Sequence, residues 1–176
     1  TGVFDMDSVA LTGVVRRLNG GVDIGGNGFD PPTSLVIGVG ANPVAADLPR
    51  EIERFRQKVA AGAEFAITQP VFDAECLFRF LEATQECRIP IIAGIWPFTS
   101  FKNAEFMANE VPGVVVPQRL LDRMSEAKTK EQGRALGIQI ARELMEEIRR
   151  HVAGFAVSAP FGNVTTALAV LGKAEI

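Results

Sequence analysis

One histidine and two cysteines stand in 176 residues, and each scarcity removes a class of function. A His-rich metal centre is excluded, and no other cluster of metal-ligand residues is visible. His151 closes a long helical pattern, where a positive tendency suits the helix dipole. It is expected to be structural rather than a member of a catalytic triad. Cys76 and Cys87 are expected on one face of one helix about three turns apart, too far for a disulfide. They read as reduced thiols of a cytoplasmic protein. No apolar run approaches the roughly 18 residues of a membrane span, and no signal peptide opens the chain. Net charge is −3 with pI near 5.3, and no basic block suggests nucleic acid or an anionic membrane as partner. What is present is the composition of an ordinary globular domain: 47% hydrophobic and 22% charged, on a chain long enough for one sizeable core.

Four segments share one grammar: "SLVIGVGANP", "EFAITQP", "PIIAGIWP" and "GFAVSAP". Each is a short apolar run, then one or two exit residues, then proline. The prolines at 43, 70 and 97 are spaced 27 residues apart, and the fourth follows at 160. Short apolar runs without alternation read as strands buried on both faces. Strands are predicted near 35–39, 65–68, 91–95 and 154–158, with proline ending each ladder. Helical patterns fill the gaps. Asp47, Asp73 and Asp7 or Ser8 are the expected N-caps, and Gly62 an expected stop. Strands alternating with helices imply a parallel α/β sheet with right-handed crossovers, either doubly wound or a (β/α)8 barrel. The near-constant period favours the barrel. Four units are about half of one, and "TGVF" supplies no start methionine, so the chain is expected to be a piece of a longer protein.

In such folds the chemistry sits at the C-terminal ends of the strands. Here these are Asn42, Thr68-Gln69, Trp96 and Ser158-Ala159. Amides, hydroxyls and one indole are poor equipment for acid–base hydrolysis. They suit a flat heteroaromatic ring, whose nitrogens and oxygens an amide can bond and whose face an aromatic can stack on. The bland alternatives are a polar strand cap for Gln69, a turn starter for Asn42-Pro43, and rim packing for Trp96. Glu51, Arg54 and Lys58 line one stripe of the helix after the first strand. Glu51 and Arg54 can pair, and Arg54 and Lys58 repel unless an anion lies between them. The stripe is either a solvated face or a pair of phosphate contacts.

The stretches "KVAAGAEFAITQPVFDAE", "IPIIAGIWPFTSFKNAEFMANEVPGVVVP" and "VSAPFGN" resemble the flavin-dependent 5,10-methylenetetrahydrofolate reductases. The second is most similar to the bacterial bifunctional type, which carries a homocysteine S-methyltransferase domain ahead of the reductase. The likeness runs from Phe4 onward. It implies that residues 1–176 are the C-terminal portion of a single (β/α)8 TIM-barrel domain, about its last half. It further implies FAD as cofactor, NADH or NADPH as hydride donor, and methylenetetrahydrofolate as substrate, in an enzyme expected to be a homo-oligomer.

Residue by residue, the resemblance places Gln69 on the folate's pterin ring. Asn103 stands where relatives have a glutamine that contacts folate or nicotinamide, and Met107 where they have a phenylalanine. Lys58 matches a lysine near FAD, with Glu51 in place of an aspartate and Arg54 in place of other polar residues. Phe4 sits where many relatives place a tyrosine near the flavin. Ala41 and Asn42 fall at the flavin end of the first strand, Asn42 replacing the tyrosine of a Tyr-Pro turn. The following loop is shorter than in relatives and lacks their histidine. The catalytic carboxylates are expected upstream of Thr1. Two other readings stay open: a non-catalytic half-barrel acting in assembly, and a phosphate-binding barrel enzyme of different chemistry. The single glycine of "SAPFGN" argues mildly against the second.

Overall fold

The computed structural model describes residues 6–174. Helix α1 (Ser8–Asn19) precedes an alternation of β1 (Gly38–Ala41), α2 (Leu48–Ala61), β2 (Phe65–Pro70), α3 (Ala74–Ala83) and β3 (Ile91–Ile95). Then come α4 (Phe101–Asn109), α5 (Gln118–Ser125), α6 (Lys130–Ile148), β4 (Gly154–Val157) and α7 (Val164–Val170). All strand pairs are parallel, in the order β1-β2-β3-β4. This is an α/β fold of the (β/α)8 type, with four strands among the described residues.

Local chemistry sets the helix ends. Asp7 accepts the Ala10 N–H and Asp47 the Arg50 N–H. Pro49 occupies the first turn of α2, where its missing N–H has no intrahelical partner to lose. Thr129 and Gln132 form a reciprocal capping box at α6. Asp73 departs from expectation. Its side chain makes no cap bond, because its carboxylate accepts from Arg119 at 3.3 Å and from the Cys76 thiol at 3.6 Å. The two cysteines also do not share a helix. Helix α3 ends at Ala83, and Cys87 lies in a separate 3-10 turn, Gln85–Cys87. His151 lies beyond the end of α6, against the Phe78 ring at 4.6 Å.

The first strand starts later than the apolar run suggests. Ile37 donates to the Glu64 carboxylate at 2.7 Å, and ladder pairing begins only at Gly38 with Phe65. Leu35 and Val36 stay exposed. One face of the sheet is covered by helices. Ala41, Ala66 and Ile91 pack with Phe55 and Phe80, whose rings meet edge to face at 5.2 Å. Ala93 and Ile95 pack with Leu77 of α3, with Ile138, Leu144 and Ile148 of α6, and with Val170 of α7. Truncating Phe55 or Phe80 to alanine is a loss of about 3–5 kcal/mol by the usual cost of such a cavity.

The other face is bare. Gly40 is exposed, and Ile67 is 41% exposed. β1 and β2 therefore alternate rather than being buried on both sides, whereas β3 is buried at all but Ile92 and β4 is half-buried throughout. A further core, Phe72, Phe98, Met107, Leu120, Met124 and Ile140, lies beyond the strand ends, where α4 and α5 pack over the C-terminal side. Phe72 and Phe98 stack there at 4.7 Å. The four strand exits consequently share one rim.

Candidate functional site at the strand exits

The exit of β2 is irregular, and the irregularity carries Gln69. Ile67 pairs with Ile92, but Pro70 pairs with Gly94, so three steps on β2 answer two on β3. An extra residue of this kind is a β-bulge, which breaks the ladder locally and re-aims the side chains it carries. The Gly94 N–H donates to the Thr68 hydroxyl at 2.9 Å. Past the bulge the chain rejoins β3, where the Val71 N–H donates to the Gly94 carbonyl at 3.0 Å. Pro70 thus lies within the strand and does not end it at Gln69. Thr68 is buried and Gln69 exposed. The Gln69 side chain makes no hydrogen bond among the described residues, which leaves an amide donor and acceptor open at the rim.

On the neighbouring exit, Asn103 is buried at the base of the rim. Its Oδ1 accepts from Trp96 Nε1 at 3.4 Å and from the Thr99 N–H at 3.3 Å. It therefore holds the half-buried indole in place and fixes the turn after β3. Met107 is 3% exposed and packs in the Phe72–Phe98 core. The structure thus brings Asn103 and Trp96 together and places Met107 beneath them rather than on the surface.

At the end of β1 the anticipated cofactor residues form a closed brace. Ala41 turns its side chain to the helix-side core. Asn42 donates its side-chain amide to the Gly113 carbonyl at 3.1 Å and accepts the Val44 N–H at 3.1 Å. The Glu51 carboxylate accepts the Asn42 N–H at 3.0 Å. Lys58 is buried, donates to the Gly40 carbonyl at 2.8 Å and stands 3.9 Å from Glu51. The expected Glu51–Arg54 pairing is replaced by this one. Arg54 instead reaches Asp7 and Ser8 at 3.2 and 3.1 Å, tying α2 to the start of α1. That resolves the Arg54–Lys58 repulsion without an anion, since each cation has its own acidic neighbour. Phe4 lies outside the described residues.

The fit to a flavin is divided. Ala41 and Asn42 offer it no free side-chain group. Lys58 does, because an ammonium has three donors and, among the described residues, only the Gly40 carbonyl lies within hydrogen-bonding distance. A buried cation at a strand exit suits a phosphate oxygen. Among the described residues no group of three or more His, Cys, Asp or Glu could hold a metal ion.

Two features were not anticipated. Gly94 is one: a Cβ there would stand 2.5 Å from the Thr68 carbonyl oxygen, so only glycine lets β2 cross at the bulge. A glycine inside an apolar strand run is the sequence signal for such an approach. Phe161 is the other, 84% exposed with a φ of 54° just past the β4 exit. Left-handed backbone at a bulky residue carries strain, and nothing in the sequence announces it.

Along its exit rim the parallel α/β sheet carries an open amide, a held indole and one buried cation, which is where folds of the barrel type keep their functional groups. The sequence matches the methylenetetrahydrofolate reductase family over residues 19–158, and the chain belongs to that family. Methylenetetrahydrofolate reductase 2 of Schizosaccharomyces pombe is 29% identical over 140 residues, covering 68% of this chain and 22% of that protein. The 5,10-methylenetetrahydrofolate reductase of Buchnera aphidicola is 33% identical over 81 residues, covering 45% of this chain and 27% of that protein. The chain thus spans about a fifth to a quarter of the length of these relatives. A solved structure, an uncharacterized protein from Clostridium thermocellum that binds two copies of 5-methyl-5,6,7,8-tetrahydrofolic acid, is similar in fold. Its TM-score is 0.53 at 24% identity, over 81% of this chain and 53% of that one.

Proposed function

We propose that residues 1–176 form the latter half of the (β/α)8 barrel of a cytoplasmic, FAD-dependent reductase. That enzyme converts 5,10-methylenetetrahydrofolate to 5-methyltetrahydrofolate with NADH or NADPH, in a polypeptide of the type that also carries a homocysteine S-methyltransferase. The observation that supports this best is Gln69, presented unbonded on a bulge at the exit rim of a sheet that belongs to the family. The solved relative that binds methyltetrahydrofolate supports folate as the ligand. The names of curated relatives, NADPH in Caenorhabditis elegans and NADH in Arabidopsis thaliana, support a nicotinamide donor.

On this reading the chain's contribution is binding and orientation. Gln69 can donate to and accept from the edge of a pterin, which has both kinds of group. Trp96, fixed by Asn103, supplies an aromatic wall next to it. Reduction adds a hydride to the one-carbon unit and a proton to the ring nitrogen it leaves. Glu51, the carboxylate at the β1 exit, is bonded to the Asn42 N–H beside Lys58, so the acid comes from elsewhere in the full-length enzyme. When bound, FAD supplies the two-electron carrier between nicotinamide and folate, and Lys58 is the residue fitted to one of its phosphates.

The test is Gln69→Ala in the full-length enzyme, with the two half-reactions followed separately by stopped flow. Hydride transfer to folate is expected to fall about threefold to tenfold, the worth of one shielded neutral hydrogen bond. Flavin reduction by the nicotinamide is expected to change less, because no pterin is present in it. Equal loss in both half-reactions would assign Gln69 to the strand instead.

A further inference from the structure

We propose that Thr68 is a positioning residue for Gln69: its hydroxyl holds open the bulge that turns the amide toward the ligand. The proposal rests on the folate reading of Gln69 given above.

In a regular parallel ladder the Gly94 N–H would donate to a backbone carbonyl of β2. Here it donates to Thr68 Oγ1 at 2.9 Å, within the buried layer. Thr68 is 6% exposed, so water cannot substitute for the hydroxyl. The bond lies within the register shift between Ile67 and Pro70. Pro70 contributes no N–H that could re-form the regular pairing. Gly94 completes the arrangement, since any side chain there would meet the carbonyl oxygens of Thr68 and Gln69 at 2.5 and 3.2 Å.

Without the hydroxyl, the buried Gly94 N–H either goes unpaired or recaptures a β2 carbonyl. An unpaired buried donor is costly, so recapture is favoured, and it slides the strand. Alternation from Ile67 through Thr68 already puts Gln69 on the open face. The hydroxyl of Thr68 therefore sets how the Gln69 amide is aimed on that face, at the bulge against β3. Serine keeps the acceptor, whereas valine keeps the shape and loses it.

The experiment uses the full-length enzyme and 5-methyltetrahydrofolate as titrant, with affinity read by calorimetry. Thr68→Val is expected to weaken binding about threefold to tenfold, as Gln69→Ala does, and Thr68→Ser to restore it to within about twofold. The double variant Thr68→Val/Gln69→Ala is expected to bind no more weakly than Gln69→Ala alone, because the two residues act through one amide. A merely structural threonine would instead give additive losses and would slow flavin reduction as much as folate binding, and that result overturns the proposal. A silent Gln69→Ala would overturn the folate reading and the positioning role together. A costly Gln69→Ala beside additive losses would overturn the positioning role alone. Should Thr68→Val fail to fold, amide exchange in the unmodified enzyme decides: slow exchange at Gly94 supports the bond, and exchange as fast as at exposed loops overturns it.

Discussion

Asn42 and Gly113, 71 residues apart, are joined side chain to backbone by a 3.1 Å hydrogen bond. Gly113 has a φ of +75°, and a Cβ there would stand 2.8 Å from Asn42 Nδ2. The contact fastens the loop between α4 and α5 to the turn after β1, so the covering layer of the rim is tied to the strand beneath it. An asparagine suits both ends, because its Oδ1 also closes the turn onto the Val44 N–H.

Removing that fastening has a defined size. Asn42→Ala loses two neutral hydrogen bonds at a half-buried site, about 1–2 kcal/mol in all. Gly113→Ala places an L side chain in left-handed backbone, about 1–2 kcal/mol, and pushes on the same amide. Urea unfolding of each variant and of the pair checks this. The pair is expected to fall short of the sum, since both act on one contact. Full additivity would show that the loop is held by something other than this bond.

Much of the sheet was legible because proline punctuation and helix caps are local signals. The β3 boundaries, the parallel order and the shared rim follow from short apolar runs alternating with amphipathic helices. Less legible was anything settled by a neighbour distant in sequence. Glu64 takes the Ile37 N–H and delays β1. Arg119 draws the Asp73 carboxylate away from its cap. Lys58 turns inward to Gly40 while Arg54 turns out to Asp7. Composition gave Gln69 its chemistry, but its presentation depends on Thr68 and Gly94, which lie on different strands.

Helices α5 and α6 are joined by Arg123 and Glu143 at 2.6 and 3.2 Å. The hydrogen bond from Arg123 holds the Glu143 carboxyl below its ordinary range. A depressed carboxylate pKa stabilises the fold above the unfolded value, and that contribution is lost as pH falls through the folded one. Both side chains are over a third exposed, so screening limits the pair to about 0.2–1 kcal/mol. Glu143→Gln is expected to cost that much near neutrality and nothing once the pH has fallen below the lowered folded pKa, where the carboxylate is protonated in either state. Thermal melts across that range decide it. An equal penalty at both ends would mean that the side chain acts through packing and not charge.

Burial pushes the Cys87 thiol above its ordinary pKa, and the neighbouring Glu86 carboxylate adds to the shift. The thiolate is the reactive form, so Cys87 is expected to alkylate slowly near neutral pH and to accelerate when the chain is denatured. Iodoacetamide labelling read by mass spectrometry at a series of times measures this directly. Labelling of native Cys87 as fast as in denaturant would show that its environment is neither buried nor anionic.

The last expectation concerns the 176-residue chain expressed by itself. Its bare sheet face carries Ile67, and the outer side of α7 carries a second set of exposed apolar residues. Val164 and Leu168 of α7 and Leu171 at its end are 59%, 39% and 45% exposed, at spacings that align them along one side of the helix, and Phe161 in the turn before it is 84% exposed. β4 is an edge strand with nothing paired to its outer side among the described residues. Unpaired edges and contiguous apolar patches seek partners. The isolated chain is therefore expected to elute from size exclusion well above its 18.9 kDa, and to be colourless, since few of its side chains are free to grip a flavin. Leu168→Glu with Leu171→Lys should shift it toward the monomer without lowering its helix content, because both side chains point away from the α7 core contacts of Ala169 and Val170. A monodisperse yellow monomer would contradict both halves of this expectation, and would mean that these four strands and their helices make a complete flavin site.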